Sequence, residues 1–195
     1  MSGIVGSYFN TRGSGVVAKL GTDGHVFTST GAGLKQGFEA AAGGGKIGQI
    51  VSTTKTDIAT YATQDWADIP DMTLDITPVA TSSKILLMTD LCTSVTSGYD
   101  AGFRCMRDST VIYIGDSESP RYQASKSSSG HYNQQTVGYS AMFVDSPSST
   151  SAITYHLEWF VENTATVYIG RAVSFPSAVY YGTTANTILA MEILA

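Results

Sequence analysis

The stretch that most restricts the fold is "AITYHLEWFVE", residues 152–162, where Ile153, Tyr155, Leu157, Trp159 and Val161 alternate with Thr154, His156, Glu158 and Glu162. Successive side chains on a strand point to opposite faces, so alternation of this length predicts a half-buried antiparallel strand and excludes an amphipathic helix. Shorter runs of the same period begin at Lys46 and are bounded by Ser, Thr, Asn, Asp, Gly and Pro. They predict strands at 46–53, 72–77, 84–92, 101–107, 110–115, 136–145, 152–162, 166–172 and 187–194. "RDST" at 107–110 and "ENTA" at 162–165 place Asp or Asn where local side-chain bonding favours a reversal, and "DSPSSTS" at 145–151 makes a longer corner. Strands at this spacing without a helix predict an all-β head over residues 46–195, an antiparallel β-sandwich; jelly-roll wiring is expected but does not follow from the pattern.

Residues 1–45 read differently. Gly is dense, Pro is absent, and apolar residues come in short groups such as "SGVVAKL" and "HVF". Each interior Gly costs a helix about 1 kcal/mol relative to Ala, so the segment is expected to be extended, turn-rich or looped. "AAAGGGK" at 40–46 reads as a flexible joint. An isolated leader of this composition frays, so the expectation is an attachment leg held by copies of the chain or by a larger assembly.

Charge limits the partners. Charged residues are 14% of 195, against roughly 25% in an average soluble chain, while 43% are hydrophobic and eleven are Tyr. A surface so short of charge is expected to be covered by copies of itself or by partners. The net charge of −5, with no basic run, argues against nucleic acid and anionic membranes. No apolar stretch reaches the roughly 18 residues of a membrane span, and "MSGIVGSYFN" carries no secretion signal, so synthesis in the cytoplasm without membrane insertion is expected.

The chemical motifs are sparse. Cys92 and Cys105 sit in apolar contexts and read as small buried hydrophobes. "GAGLKQG" at 31–37 has the wrong spacing for a dinucleotide fingerprint, and "AGGGKIG" lacks both the first glycine and the magnesium-binding hydroxyl of a phosphate loop. His25, His131 and His156 have no Cys or His at metal-ligand spacing, so neither metal nor cofactor is expected. No Gly-x-Ser-x-Gly elbow is present. Asp57, Asp65, Asp68, Asp71 and Asp75 cluster around "TQDWADIPDM", read here as loop-like, where acids solvate backbone or start turns; no catalytic residue is assigned.

Two loops carry the candidate binding residues. Residues 93–102 and 116–136 combine Tyr99, Asp100, Arg121, Tyr122, His131, Tyr132, Asn133 and Gln134. Tyr supplies flat apolar area with a hydroxyl, and Asp, Asn and Gln supply the planar hydrogen bonding that sugar hydroxyls need. The second loop is long for a sandwich, and such loops contact ligands or neighbouring subunits.

"SGIVGS" (2–7), "GTDGHVFTSTGAG" (21–33) and "FEAAAGGGK" (38–46) are followed in order by "ITPVATSSKILLM" (76–88), "MRDSTVIYIGD" (106–116), "FVDSPSSTSAITYHL" (143–157) and "TILAMEI" (187–193). Together they cover most of the chain, and their order resembles short fibre-type structural proteins of tailed bacteriophages, especially marine ones. The resemblance implies a homotrimeric fibre or knob on the virion surface, assembled in the bacterial cytoplasm. Its head would be a β-sandwich of tumour-necrosis-factor-like or C1q-like type. Residues 1–45 would join other virion proteins of tail or capsid, the head would contact host-surface glycan, and no catalytic residues are implied. Two alternatives stay open: a capsid decoration protein, and a glycan-cleaving enzyme with a facing carboxylate pair.

Overall fold

The alternation of residues 153–161 is realised in the computed structural model as a strand whose Ile153, Tyr155, Leu157, Trp159 and Val161 are buried, with half-buried residues between them. The structure describes strand residues 25–28 and 37–40, and residues 46–195 apart from 130, 131 and 134. The chain divides into units 1–45 and 46–195. In the first, β1 (His25–Thr28) and β2 (Gly37–Ala40) pair antiparallel, with Phe27 opposite Phe38. No regular strand is predicted there from sequence; two β-forming tetrapeptides, too short to stand out from the glycine around them, supply this pairing. The expected extended or looped character of the other leader residues, and the joint at 40–46, fall largely outside the described residues.

The second unit is an all-β sandwich of antiparallel sheets. One sheet contains β3 (Ile47–Lys55), β13 (Asn186–Ile193) and β6 (Lys84–Val95) in that order. β10 (Val137–Asp145) lines the far edge of β6, while β12 (Val167–Ile169), which continues to β4 (Ala59–Tyr61), pairs with the 93–95 end of β6 on the β13 side. The other sheet runs β5 (Ala67–Ile76), β11 (Ile153–Val161), β7 (Asp100–Arg107), and both β8 (Thr110–Ile112) and β9 (Lys126–Ser129) pair with the outer edge of β7. Neighbours in space are mostly not neighbours in sequence, a jelly-roll-like order.

Inward residues of the two sheets meet in one core that includes Met72, Leu74, Ile85, Leu87, Phe103, Tyr155, Leu157, Trp159 and Ile188. Tyr61 stacks on Trp159 with ring centroids 5.3 Å apart. Cys105 is buried in this core, its thiol pushed up to about 11 chiefly by desolvation, and Cys92 is half-buried; both are free.

Polar side chains stitch the sheets together. At the end of β10, Asp145 accepts hydrogen bonds from Arg107 of β7 at 2.7 and 2.8 Å and from the Tyr155 hydroxyl of β11 at 2.6 Å. Burial, then the Asp145 carboxylate, holds the Tyr155 phenol far above its usual range. In the same sheet as β10, Glu192 of β13 turns inward, accepting from Gln49 Nε2 at 2.9 Å and from the Val79 amide at 2.7 Å.

One segment departs from the sequence reading. Residues 67–71, read as loop, open β5, because Ile69 and Met72 both face inward while Pro70 and Asp71 loop out between them. Pro70 has no amide hydrogen to donate, Asp71 has φ of 60°, and the register against β11 shifts between His156 and Glu158. A bulge of this kind breaks the period-two signal without ending the strand. Two further strands, β4 and β9, are too short for periodicity to reveal.

Core packing yields a paired expectation. Leu157→Ala should cost about 2–5 kcal/mol in denaturant unfolding, the usual range for a buried leucine. Trp159→Phe should cost far less than truncation of that ring to Ala, because among the described residues Trp159 Nε1 has no acceptor to lose. Equal losses for Trp159→Phe and Trp159→Ala would contradict this.

Glu192 adds a pH dependence. Despite desolvation, the bonds from Gln49 and Val79 hold its carboxyl below the ordinary 4.5. A lowered folded value means the stabilisation is complete above that pH and is lost as pH falls through the folded value. Glu192→Gln should therefore flatten the acid limb of a stability-versus-pH curve, and an unchanged limb would refute the assignment.

Candidate functional site

β7 is bordered in two pieces. Its Cys105–Arg107 end pairs with β8 and its Asp100–Phe103 end with β9, so residues 113–125 between those strands leave the sheet and return. Both ends of the excursion are tied down: Gln123 Nε2 donates to the Gly115 carbonyl at 2.7 Å, Ser125 N to Phe103 O at 2.8 Å, and Cys105 N to Ser125 Oγ at 3.1 Å.

The excursion lays Tyr122 over the outer face of the sheet. A β-carbon at Gly102 would lie 2.6 Å from Tyr122 Cε2 and 3.0 Å from Trp66 Cη2, so only glycine lets both rings settle there. Phe160, opposite Gly102 on β11, completes the cluster at 4.8 Å from Tyr122 and 5.5 Å from Trp66. The Arg104 guanidinium covers the Trp66 ring at 4.3 Å and pairs with Glu158.

Beside these rings opens a groove of about 710 Å3, lined by Tyr122 and Phe160, by Asp100, Asp116 and Glu162, and by Arg121, Lys126, Gln64 and Gln123 among others. Asp100 and Glu162 sit together: the Glu162 carboxylate accepts from the Asp100 amide at 3.2 Å, and the Asp100 carbonyl accepts from the Glu162 amide at 2.9 Å. Burial, followed by these two carboxylates, pushes the Tyr122 hydroxyl up to about 12, so the phenol keeps its proton and can donate.

The structure divides the residues predicted for binding. Asp100, Arg121 and Tyr122 line the groove; Arg121 is exposed, with Glu118 at 3.6 Å. Tyr99, Tyr132 and Asn133 do not line it. Tyr99 packs against the core. Asn133 ties loops together, its side-chain oxygen accepting from Ser97 N at 3.0 Å and its carbonyl from Ser174 N at 2.7 Å. Tyr132 stands 67% exposed in the same loop. His131 and Gln134 lie outside the described residues.

Trp66, Gly102, Phe160 and Glu162 were not among the predicted binding residues. Phe160 had a signal: it is the aromatic at an outward position of the strongest alternating strand. Gly102 and Trp66 had none, since their roles arise only when β5, β7 and β11 lie side by side.

The clustered aspartates take separate roles. Asp57 and Asp71 pair with the buried Lys55 at 2.9 and 3.3 Å. Asp65 accepts from the Trp66 amide at 2.7 Å and Asp75 from the Thr154 hydroxyl at 2.6 Å. Asp68 meets His156 Nδ1 at 2.7 Å, while His156 Nε2 lies 2.9 Å from the Asp108 carbonyl. Asp68, His156 and Glu158 come close enough to share a cation. Both His156 partners are acceptors and Glu158 already holds Arg104, so a metal there would have to displace existing donors.

The outer face of the other sheet is chemically opposite. Register places Ile50, Met191, Leu86 and Val144 in one cross-strand row over β3, β13, β6 and β10, and Ser52, Leu189, Met88 and Met142 in the next. Met142 is 64% and Ile50 55% exposed. A third row, Thr54, Thr187, Asp90 and Ser140, closes the patch with hydroxyl and carboxylate bonds.

Compared with known proteins, the chain matches no family model, and no curated protein matches it.

Proposed function

We propose that this protein is a non-enzymatic structural subunit, a homotrimeric fibre or knob of a bacteriophage virion whose sandwich head faces the host and whose residues 1–45 join other virion proteins. The observation that carries the reading is the apolar outer face of β3-β13-β6-β10. Four strands about 4.8 Å apart and two apolar side-chain rows about 6.8 Å apart make a face of roughly 260 Å2. Its two apolar rows run unbroken by charge. It would form the apolar core of an interface to which each partner contributes roughly 800 Å2 in all. The low charge of the whole chain, 14%, supports the same reading. The order of sequence motifs supplies the virion context.

Self-association through this face has a direct readout. Met142→Glu would set a charge in the middle of the covered face and should turn a trimer into monomer in sedimentation velocity while leaving circular dichroism unchanged. A monomeric wild type would refute the trimer, and a trimer indifferent to Met142→Glu would move the contact elsewhere.

Location on the particle is the decisive test of the reading. An antibody raised against the full chain should label intact virions in electron microscopy. Label at the tail supports an adsorption fibre, label spread over the capsid supports a head fibre or decoration protein, and unlabelled particles overturn the structural reading.

A further inference from the structure

We propose that the groove floored by Tyr122 and Phe160 binds a neutral glycan, one pyranose ring lying against Tyr122 with its hydroxyls donating to Asp100 and Glu162. The inference rests on the reading of the head as a displayed, host-facing module, and it names the site and the ligand class.

Three observations converge on it. The first is the fixed aromatic floor. Tyr122 is 36% exposed, yet its ring is located by the bare backbone of Gly102 beneath it and by Trp66 and Phe160 beside it. A ring held this way offers an apolar face without an ordering cost at binding, which suits the C–H face of a sugar.

The second is the hydrogen-bonding character of the wall. Asp100 and Glu162 form no ion pair among the described residues, and carboxylates only accept hydrogen bonds. A partner rich in hydroxyl donors complements them. Tyr122 keeps its own proton and adds a donor for a ring or glycosidic oxygen.

The third is size and charge. A groove of about 710 Å3 falls in the range of small-ligand sites. Asp100, Asp116 and Glu162 outnumber Arg121 and Lys126 along it, so uronic and sialic acids meet net repulsion where neutral sugars do not. Single-site affinity for a sugar ring is weak, and repetition on an assembled head multiplies it.

The test uses the full-length assembled protein on an array of neutral and acidic glycans, followed by saturation-transfer NMR with the neutral glycans retained. Wild type should retain neutral glycans in preference to acidic ones. Tyr122→Ala should lose at least tenfold and Tyr122→Trp, which restores a stacking face, should recover binding; Asp100→Asn should weaken it several-fold and Tyr132→Ala should leave it unchanged. Gly102→Ala, which crowds the Tyr122 ring without removing a contact group, should also weaken it. Circular dichroism and sedimentation establish that each variant folds and assembles.

The proposal is overturned if no neutral glycan is retained, if acidic glycans are preferred, or if Tyr122→Ala binds as wild type does. New reducing ends on the array would replace binding with cleavage and overturn it equally. Particle labelling is independent of all these variants: labelled virions with a silent array sink the glycan site alone, and a glycan-binding protein absent from virions sinks the structural reading alone.

Discussion

A β-strand has two faces, and in this head the inner one is fully committed. Ile153, Tyr155, Leu157, Trp159 and Val161 of β11 are all buried, and the facing sheet answers with Ile85, Leu87, Leu91 and Ile188. Whatever the protein does with other molecules is therefore left to outward positions, loops and edges. The two outer faces have diverged: one carries methionine, leucine, isoleucine and valine in cross-strand rows, the other tryptophan, tyrosine, phenylalanine and paired charges. An apolar face without orienting polar groups suits permanent covering, whereas rings beside carboxylates that form no ion pair among the described residues suit a reversible ligand.

Apolar packing is not directional, and the polar crosslinks supply register. Asp145 gathers Arg107 and Tyr155 so that the end of β10 is fixed against the opposite sheet. Lys55 draws Asp57 and Asp71 to one ammonium, and Asp71 is the residue at which β5 bulges. Each carboxylate is matched to a donor that belongs to another strand or turn. A slipped register would leave the buried Lys55 ammonium and Tyr155 hydroxyl without partners. The chain has few charges, and many of those it has are used in this way.

Much of the architecture was legible because burial writes itself into a period of two. The strands at 84–92, 101–107, 136–145 and 152–162 are found within a few residues, since their inward positions are mostly apolar, with Thr89 and Asp145 as interruptions. β5 was cut short because Pro70 and Asp71 change the phase in mid-strand, and β4, β9 and the β1-β2 pair are too brief for any period to register. The candidate site was only partly legible. Asp100, Arg121 and Tyr122 come from loops whose composition stands out, but Tyr99 is drawn into the core and Asn133 is used to join loops. Gly102, Trp66 and Phe160 are distant in sequence and acquire meaning only across three adjacent strands.

The divided edge of β7 has a consequence for how such a head can diversify. Because β8 and β9 hold the strand from both ends, the sheet's hydrogen-bonded register is complete on either side of residues 113–125. The excursion is a replaceable cassette: its length and side chains can be exchanged while the core, the stitching carboxylates and the apolar face stay as they are. Its footings on Gly102 and, through Ser125, on Phe103 and Cys105 must be kept. Chains sharing this scaffold could thus change what they grip by rewriting a dozen or so residues, with assembly left untouched.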